Sequence, residues 1–388
     1  MTRVVRQDLP RSQLPWARRA AVGGRMLATV AWILLVAPPG AVRAADSAQV
    51  QEPRYFNHGL SYGSDAAFNP LSELVNGAFG ILQISSNWRT LDEIQWRNGF
   101  DVTWESISHP IRTTEAYGWG DFLTSEVVPG KLRWNNLQYI PNYHLHLIGG
   151  GARNRAFMEW YRAHGFAHPG FWAAATTVLH AFAVETVEHQ AATGPTVDPV
   201  ADMLIFDPAG ILLFSSDRVA RFFSQTLNMS IWSGQPMVNP VQNTVENAGQ
   251  NYALHFFFAK EHRVGVFMYW GMSDLVGLTV RSEGGLDWSV GVGGMVAELE
   301  EEERGTGMSA FYARLRWDVG GFVHRNGSLL ASIHVSEAWT QPLRVNVYPG
   351  LVSWHGLTPG MYLGVRKSDV IVGVSLLSIP VGVAVSEK

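Results

Sequence analysis

The spacing of apolar residues changes along the chain, and each change predicts a different kind of structure. From about Met229 to Lys388 the period is two. Tyr252, Leu254, Phe256 and Phe258 alternate with Ala253, His255 and Phe257, and Leu315, Trp317 and Val319 alternate with Arg314, Arg316 and Asp318. Leu329, Ala331, Ile333 and Val335 then alternate with Ser328, Ser332, His334 and Ser336, and Val345 and Val347 with Arg344 and Asn346. Such runs predict strands with one dry face and one wet face. Asn326-Gly327 between two runs is a strong hairpin signal. Lys260–Arg263, Glu283-Gly284-Gly285, Glu300–Gly307 and Lys367-Ser368-Asp369 read as further turns. The expectation is a meander of about eight or nine strands, closed most simply as an antiparallel up-and-down β-barrel of about eight.

Upstream, from 138 to 228, the pattern is helical. Phe171 to Val184 is apolar all round, which marks a buried helix, and it ends abruptly in Glu185-Thr186-Val187-Glu188-His189. Gly149-Gly150-Gly151 reads as a close turn before a helix from Asn154 to His164. Asp198 is placed to cap a helix beginning at Pro199, with a kink or break at Pro208. Residues 45–137 form a mixed segment in which Asn69-Pro70 caps an apolar face of Leu71, Leu74, Val75, Ala78 and Phe79. The predicted class is α+β: an N-terminal helical unit of periplasmic location, then a C-terminal barrel over 229–388.

The first 44 residues change where such a protein would work. Basic residues precede an apolar run, Met26 to Ala37, followed by Pro38-Pro39-Gly40 and Val42-Arg43-Ala44. That is the order of a secretory signal peptide with cleavage after Ala44, and the run is shorter than the ~20 residues of a spanning helix. An exported chain in the outer membrane or periplasm is expected.

Composition sharpens this. Hydrophobic residues make up 47% and charged residues 16%, against about 25% charged in an ordinary soluble domain. Period-two strands allow such apolarity without spanning helices if the apolar face meets lipid. A soluble lipocalin-like barrel binding an apolar ligand would use the same alternation with the faces reversed. Trp270, Trp288, Trp339, Trp354, Tyr348 and Tyr362 stand where aromatic girdles would lie. The last residues, Val385-Ser386-Glu387-Lys388, lack the terminal aromatic usual in outer-membrane barrels. The absence of cysteine excludes a lipoprotein anchor, disulfides and thiolate metal sites. Beyond Ala44 the chain carries 22 basic and 32 acidic residues, a balance that excludes nucleic acid as a partner.

Chemistry concentrates in the helical region: His144 and His146, then His180, Glu185, Glu188 and His189, then Asp198, Asp202 and Asp207. Carboxylates in apolar context pair, bind a metal or shift in pKa. One assignment makes His144, His146, His189 and Asp202 ligands of a divalent metal, with Glu185 and Glu188 as catalytic carboxylates acting on a bound water. The spacing matches neither H-E-x-x-H nor H-x-x-E-H. A capping Asp198, a turn-ending Asp207 and a solvated Glu185–His189 helix end account for the same residues without function. There is no G-x-S-x-G.

The segments Glu185–His189 and Asp202–Gly210 resemble an uncharacterised family of bacterial envelope proteins in which a short helical unit precedes a predicted barrel. The resemblance implies an envelope location and carries no activity. Three functions follow as expectations: an outer-membrane protein with a structural or lipid-handling role, a metal-dependent envelope hydrolase acting on lipid or another surface molecule, and a secreted carrier of an apolar ligand.

Overall fold

The computed structural model describes residues 53–128 and 141–388, apart from 260, 305–307, 354, 356, 367, 368, 378 and 388, and apart from the side chains of 299–304 and 309–313. The predicted signal peptide and Trp354 lie outside the described residues. From Val50 onward the chain forms one unit that combines helices with a large, mostly antiparallel sheet, an α+β fold.

The helices come first. They are α1 (Gly63–Ala67), α2 (Pro70–Gly80), α3 (Trp96–Ser108), α4 (Pro110–Tyr117), α5 (Trp119–Phe122), α6 (Gly151–Ala163), α7 (Pro169–Glu188), α8 (Asp198–Ala201), α9 (Asp207–Phe214) and α10 (Asp217–Arg221). The Asn69 cap is realised: its Oδ1 accepts from the Ser72 amide at 2.9 Å, and the Ser72 hydroxyl accepts from the Asn69 amide. Other sequence expectations are corrected. Gly149–Gly151 is no loop, because a π-turn over Asn142–Gly150 runs straight into α6. The glycines allow close packing instead. A Cβ on Gly149 would stand 2.6 Å from the Tyr252 ring, and one on Gly151 2.5 Å from Phe214. Nor does Asp198 cap its helix; Val197 occupies that position. Pro208 does not end the helix, because a π-turn over Asp202–Phe206 precedes it and absorbs the missing N–H. The sharp bend, 83°, falls between Phe214 and Asp217.

The strands are β1 (Ser230–Ile231), β2 (Met237–Asn239), β3 (Thr244–Glu246), β4 (Tyr252–Phe256), β5 (Val264–Trp270), β6 (Ser273–Val280), β7 (Asp287–Arg304), β8 (Met308–Arg325), β9 (Ser328–Val335), β10 (Leu343–Val347), β11 (Pro359–Arg366), β12 (Asp369–Leu376) and β13 (Ile379–Ser386). They form a 13-stranded sheet in the order β1-β4-β5-β6-β7-β8-β9-β10-β11-β12-β13-β2-β3. The order has two ends, so the expected closed, eight-stranded, all-antiparallel barrel is corrected: the sheet is not closed into a barrel, and β13 and β2 pair in parallel.

Local chemistry explains the break. Residues 230–239 and 244–256 make one hairpin, but Gly234 and Pro236 interrupt its first arm. Pro236 has no N–H to give the ladder, and Gly234 sits where a Cβ would be 2.4 Å from the Asn247 carbonyl. The arms stay joined through Trp232 N to Asn251 O at 2.7 Å and Gly234 N to Gly249 O at 2.8 Å. The shortest of these strands, two and three residues long, are too short to show a period. Asn326 and Gly327 both have positive φ, 52° and 80°, as a tight β8–β9 hairpin turn requires.

Burial follows the alternation, with the polar side inward. On β6, Ser273, Leu275 and Thr279 are buried while Val276, Leu278 and Val280 are exposed. On β12, Ile371 and Ser375 are buried while Val370, Val372 and Val374 are exposed. Inside, Asp318 accepts from Ser273 Oγ at 2.5 Å and lies 3.3 Å from His334, and Ser289 contacts Thr279 and His324, each at 3.0 Å. Trp232, fully buried, donates to the Gly327 carbonyl at 2.8 Å amid Phe267 and Phe322. The expected aromatic girdle is corrected too. Trp288 is exposed, but Trp339, Tyr348 and Tyr362 fall on the inward side and are buried, and Trp270, on the opposite face of β5 from Phe267 and Tyr269, is buried against Tyr252 and the helices.

The helices cover this inner side. Asn76 of α2 donates to the Gly234 carbonyl at 3.0 Å and accepts from the Gly249 amide at 3.1 Å. The α2 and α7 backbones approach so closely that a Cβ on Gly77 would strike the His180 ring at 2.0 Å.

Candidate functional site

The C-terminal turn of α7 sets Glu185, Glu188 and His189 on neighbouring positions, since residues three and four apart share a helix face. The π-turn at Asp202–Phe206 does the same for two acids five residues apart. Its wider winding places the Asp207 amide on the Asp202 carbonyl and brings both side chains to one side. The π-turn at Asn142–Gly150 supplies His146 opposite them.

Two carboxylate–imidazole–carboxylate sets result. His146 Nε2 is 3.3 Å from Asp202 Oδ2, and its Nδ1 is 3.3 Å from Asp207 Oδ1. His189 Nδ1 lies 3.0 Å from the Glu185 carbonyl and 3.3 Å from Glu185 Oε2, while its Nε2 lies 3.5 Å from Asp198 Oδ2. Asp202, Asp207, Glu185 and His189 are all buried.

Electrostatics follow from this crowding. Burial alone would favour a neutral His146, but the charges of Asp202 and Asp207 outweigh it and raise the ring to about 10. His189 is pushed up in the same way, against its burial, by its bonds to Asp198 and Glu185. Asp202 is pushed up well above the usual carboxylate range, first by burial. Glu188 rises to about 7 through burial and then the nearby Glu185 charge. Asp202 Oδ1, Asp207 Oδ2 and Glu185 Oε2 are buried without a hydrogen-bond partner, although the last keeps its ionic contact with His189. Such a site can hold protons between acids and imidazoles and exchange them near neutrality at Glu188.

Of the sequence candidates, His146, Glu185, Glu188, His189 and Asp202 come together, with Asp198 and Asp207 as the partners that a capping or turn-ending role had obscured. His144 does not join them. Its carbonyl accepts from Trp270 Nε1 at 3.1 Å and its ring lies 4.0 Å from Asp274; burial, then the charge of His146, lowers it to about 4. The ligand set His144, His146, His189 and Asp202 is therefore not assembled. Among the described residues no three His, Asp or Glu side chains are arranged to hold a metal ion.

A second polar group escaped sequence reasoning. Arg153 Nη1 donates to Gln250 at 2.8 Å and to the Tyr252 hydroxyl at 3.0 Å. Nearby Glu73 accepts from Ser233 at 2.8 Å and is raised by burial to about 7. These residues lie far apart in the chain, and the Gly149–Tyr252 approach and the bonds of Asn76 to Gly234 and Gly249 bring them together.

No family model, curated protein or solved structure matches the chain.

Proposed function

We propose that the protein is an outer-membrane protein of the cell envelope that meets lipid with the outer face of its sheet and has a structural or lipid-handling role. One observation carries this reading: the exposed face is apolar, while the buried face mixes aromatic side chains with polar and charged ones. Val276, Leu278, Val290, Val292, Val372 and Val374 point outward, Val292 with 61% of its surface exposed, while Asp318, His334, Ser289, His324 and Arg344 point inward. In water this order is reversed, because burying valines is favourable and burying charges is costly. In a bilayer it is the expected order. A soluble lipocalin-like carrier would turn its polar residues to water, and the exposed row of valines and leucines disfavours it. The test is fractionation of expressing cells. Recovery in a carbonate-resistant membrane pellet, with gel mobility that shifts on boiling, is expected; recovery in the soluble fraction overturns the proposal.

A second reading rests on Glu188. A carboxyl raised by burial to about 7 next to His189 in the chain has the properties of a general acid–base. It gives the envelope-hydrolase expectation a metal-free form, acting on lipid. Lipid profiles of cells expressing the wild type or Glu188→Gln test it; identical profiles count against it.

A further inference from the structure

We propose that the bent helical segment Asp198–Thr226, together with the outer side of α7, is also seated in lipid, so that the helical unit lies in the bilayer rather than in the periplasm. The proposal rests on the membrane reading above and extends it from the sheet to the helices.

Three observations carry it. The first is the burial order. Leu212 is the most exposed, at 75%, and Leu204 and Ile205 are also exposed, as are Phe171, at 66%, and Val178 on α7. The side chains turned inward from the same segments include Asp202, Asp207, His180 and Glu185, beside the apolar Val200, Phe206 and Phe214. An amphipathic helix on a water-facing surface shows the opposite arrangement. The second is length. No single described helix is long and apolar enough to cross a membrane, but Asp198–Phe214 and Asp217–Thr226 meet that measure together, bent by 83°. The third is charge. Beyond the bend, Arg218 and Arg221 are exposed next to an exposed Phe222, a pairing that suits the level of lipid phosphates.

The occupant of this surface is therefore the lipid leaflet. Acyl chains cover Leu204, Ile205 and Leu212, and phosphates face the two arginines. The consequence for the site is direct. His146 and its two aspartates lie behind a lipid-facing wall, where ionisable side chains are costly and functional.

The chain has no cysteine, so single-cysteine variants report position cleanly. Leu212→Cys and Ile205→Cys for the helices, Val290→Cys for the sheet and Ser282→Cys for an exposed turn would each carry a fluorescent thiol label in full-length protein. The labelled proteins are reconstituted in vesicles of mixed zwitterionic and anionic phospholipid. Quenching of the labels at 212, 205 and 290 by lipids bearing an acyl-chain quencher, with loss of iodide quenching, is expected, while the label at 282 stays open to iodide. Iodide quenching at 212 and 205 with lipid quenching at 290 overturns this inference and leaves the membrane reading standing. Iodide quenching at 290 as well overturns both. A helical patch covered by a second protein copy would resist iodide without responding to the lipid quencher, which also overturns it. Arg218→Glu with Arg221→Glu tests the charge argument independently: loss of the preference for anionic over zwitterionic vesicles is expected, and an unchanged preference counts against it.

Discussion

His146 Nε2 stands 3.3 Å from Asp202 Oδ2, and the same ring meets Asp207 at 3.3 Å through Nδ1. The imidazolium is thus the counter-charge for two acids buried on one π-turn. Removing it leaves two carboxylates without that compensation. His146→Leu is expected to destabilise the protein by about 3 kcal/mol, read as the change in unfolding free energy in detergent. An effect under ~1 kcal/mol would mean that the pair contributes little to the fold.

The same pair sets a pH dependence of definite sign. His146 is raised from 6.5 to about 10, so its contribution is complete below about pH 6.5 and is lost as pH rises toward 10. The stability difference between wild type and His146→Gln should shrink over that window. A difference that grows with pH would contradict the assignment.

The sheet interior behaves oppositely. Burial lowers His255 to about 4 and His324 to about 2, and the two rings lie 4.3 Å apart. Both are neutral when folded and take up protons on unfolding, so their contribution is lost as pH falls from 6.5 through these values. A His255→Phe/His324→Phe double variant should lose less stability between pH 6.5 and 4 than the wild type. Equal acid sensitivity would place its origin elsewhere.

Close packing at the glycine run gives a steric prediction. Gly149→Ala puts a methyl 2.6 Å from the Tyr252 ring and is expected to cost about 1–3 kcal/mol. Gly120→Ala, whose methyl would meet nothing within 4 Å, is expected to gain roughly 0.5–1 kcal/mol from its helical position. Thermal unfolding of the two variants should move in opposite directions.

On the outer face, Val290→Lys separates lipid from water. A lysine at a lipid-facing strand position costs about 2–4 kcal/mol near the bilayer midplane, whereas an exposed valine in water tolerates it within about 0.5 kcal/mol. Reduced yield of heat-modifiable protein in the membrane pellet is the expected outcome.

Much of this molecule was legible in its sequence. Period-two runs located β4, β8, β9 and β10, Asn326-Gly327 located a hairpin, and Asn69-Pro70 located a helix start. Each signal acts over a few neighbouring residues. The clustering of Glu185, Glu188 and His189 was legible for the same reason, being one helix turn.

Other features depended on contacts between distant segments. Alternation establishes that a strand has two unlike faces but not which one turns inward, because that depends on what covers it; only the packing of α2 and α7 against the polar side decided this. Sheet order belongs to the same class. The parallel β13–β2 pair joins Gly382 to Met237, far apart in the chain, and no local pattern encodes it. The site shows the division most clearly. At α-helical winding Asp202 and Asp207 diverge, and nothing in their spacing alone selects the π-turn that unites them. His144 and His146 are two residues apart in the sequence, but the same backbone geometry sends one to Asp202 and the other toward Asp274.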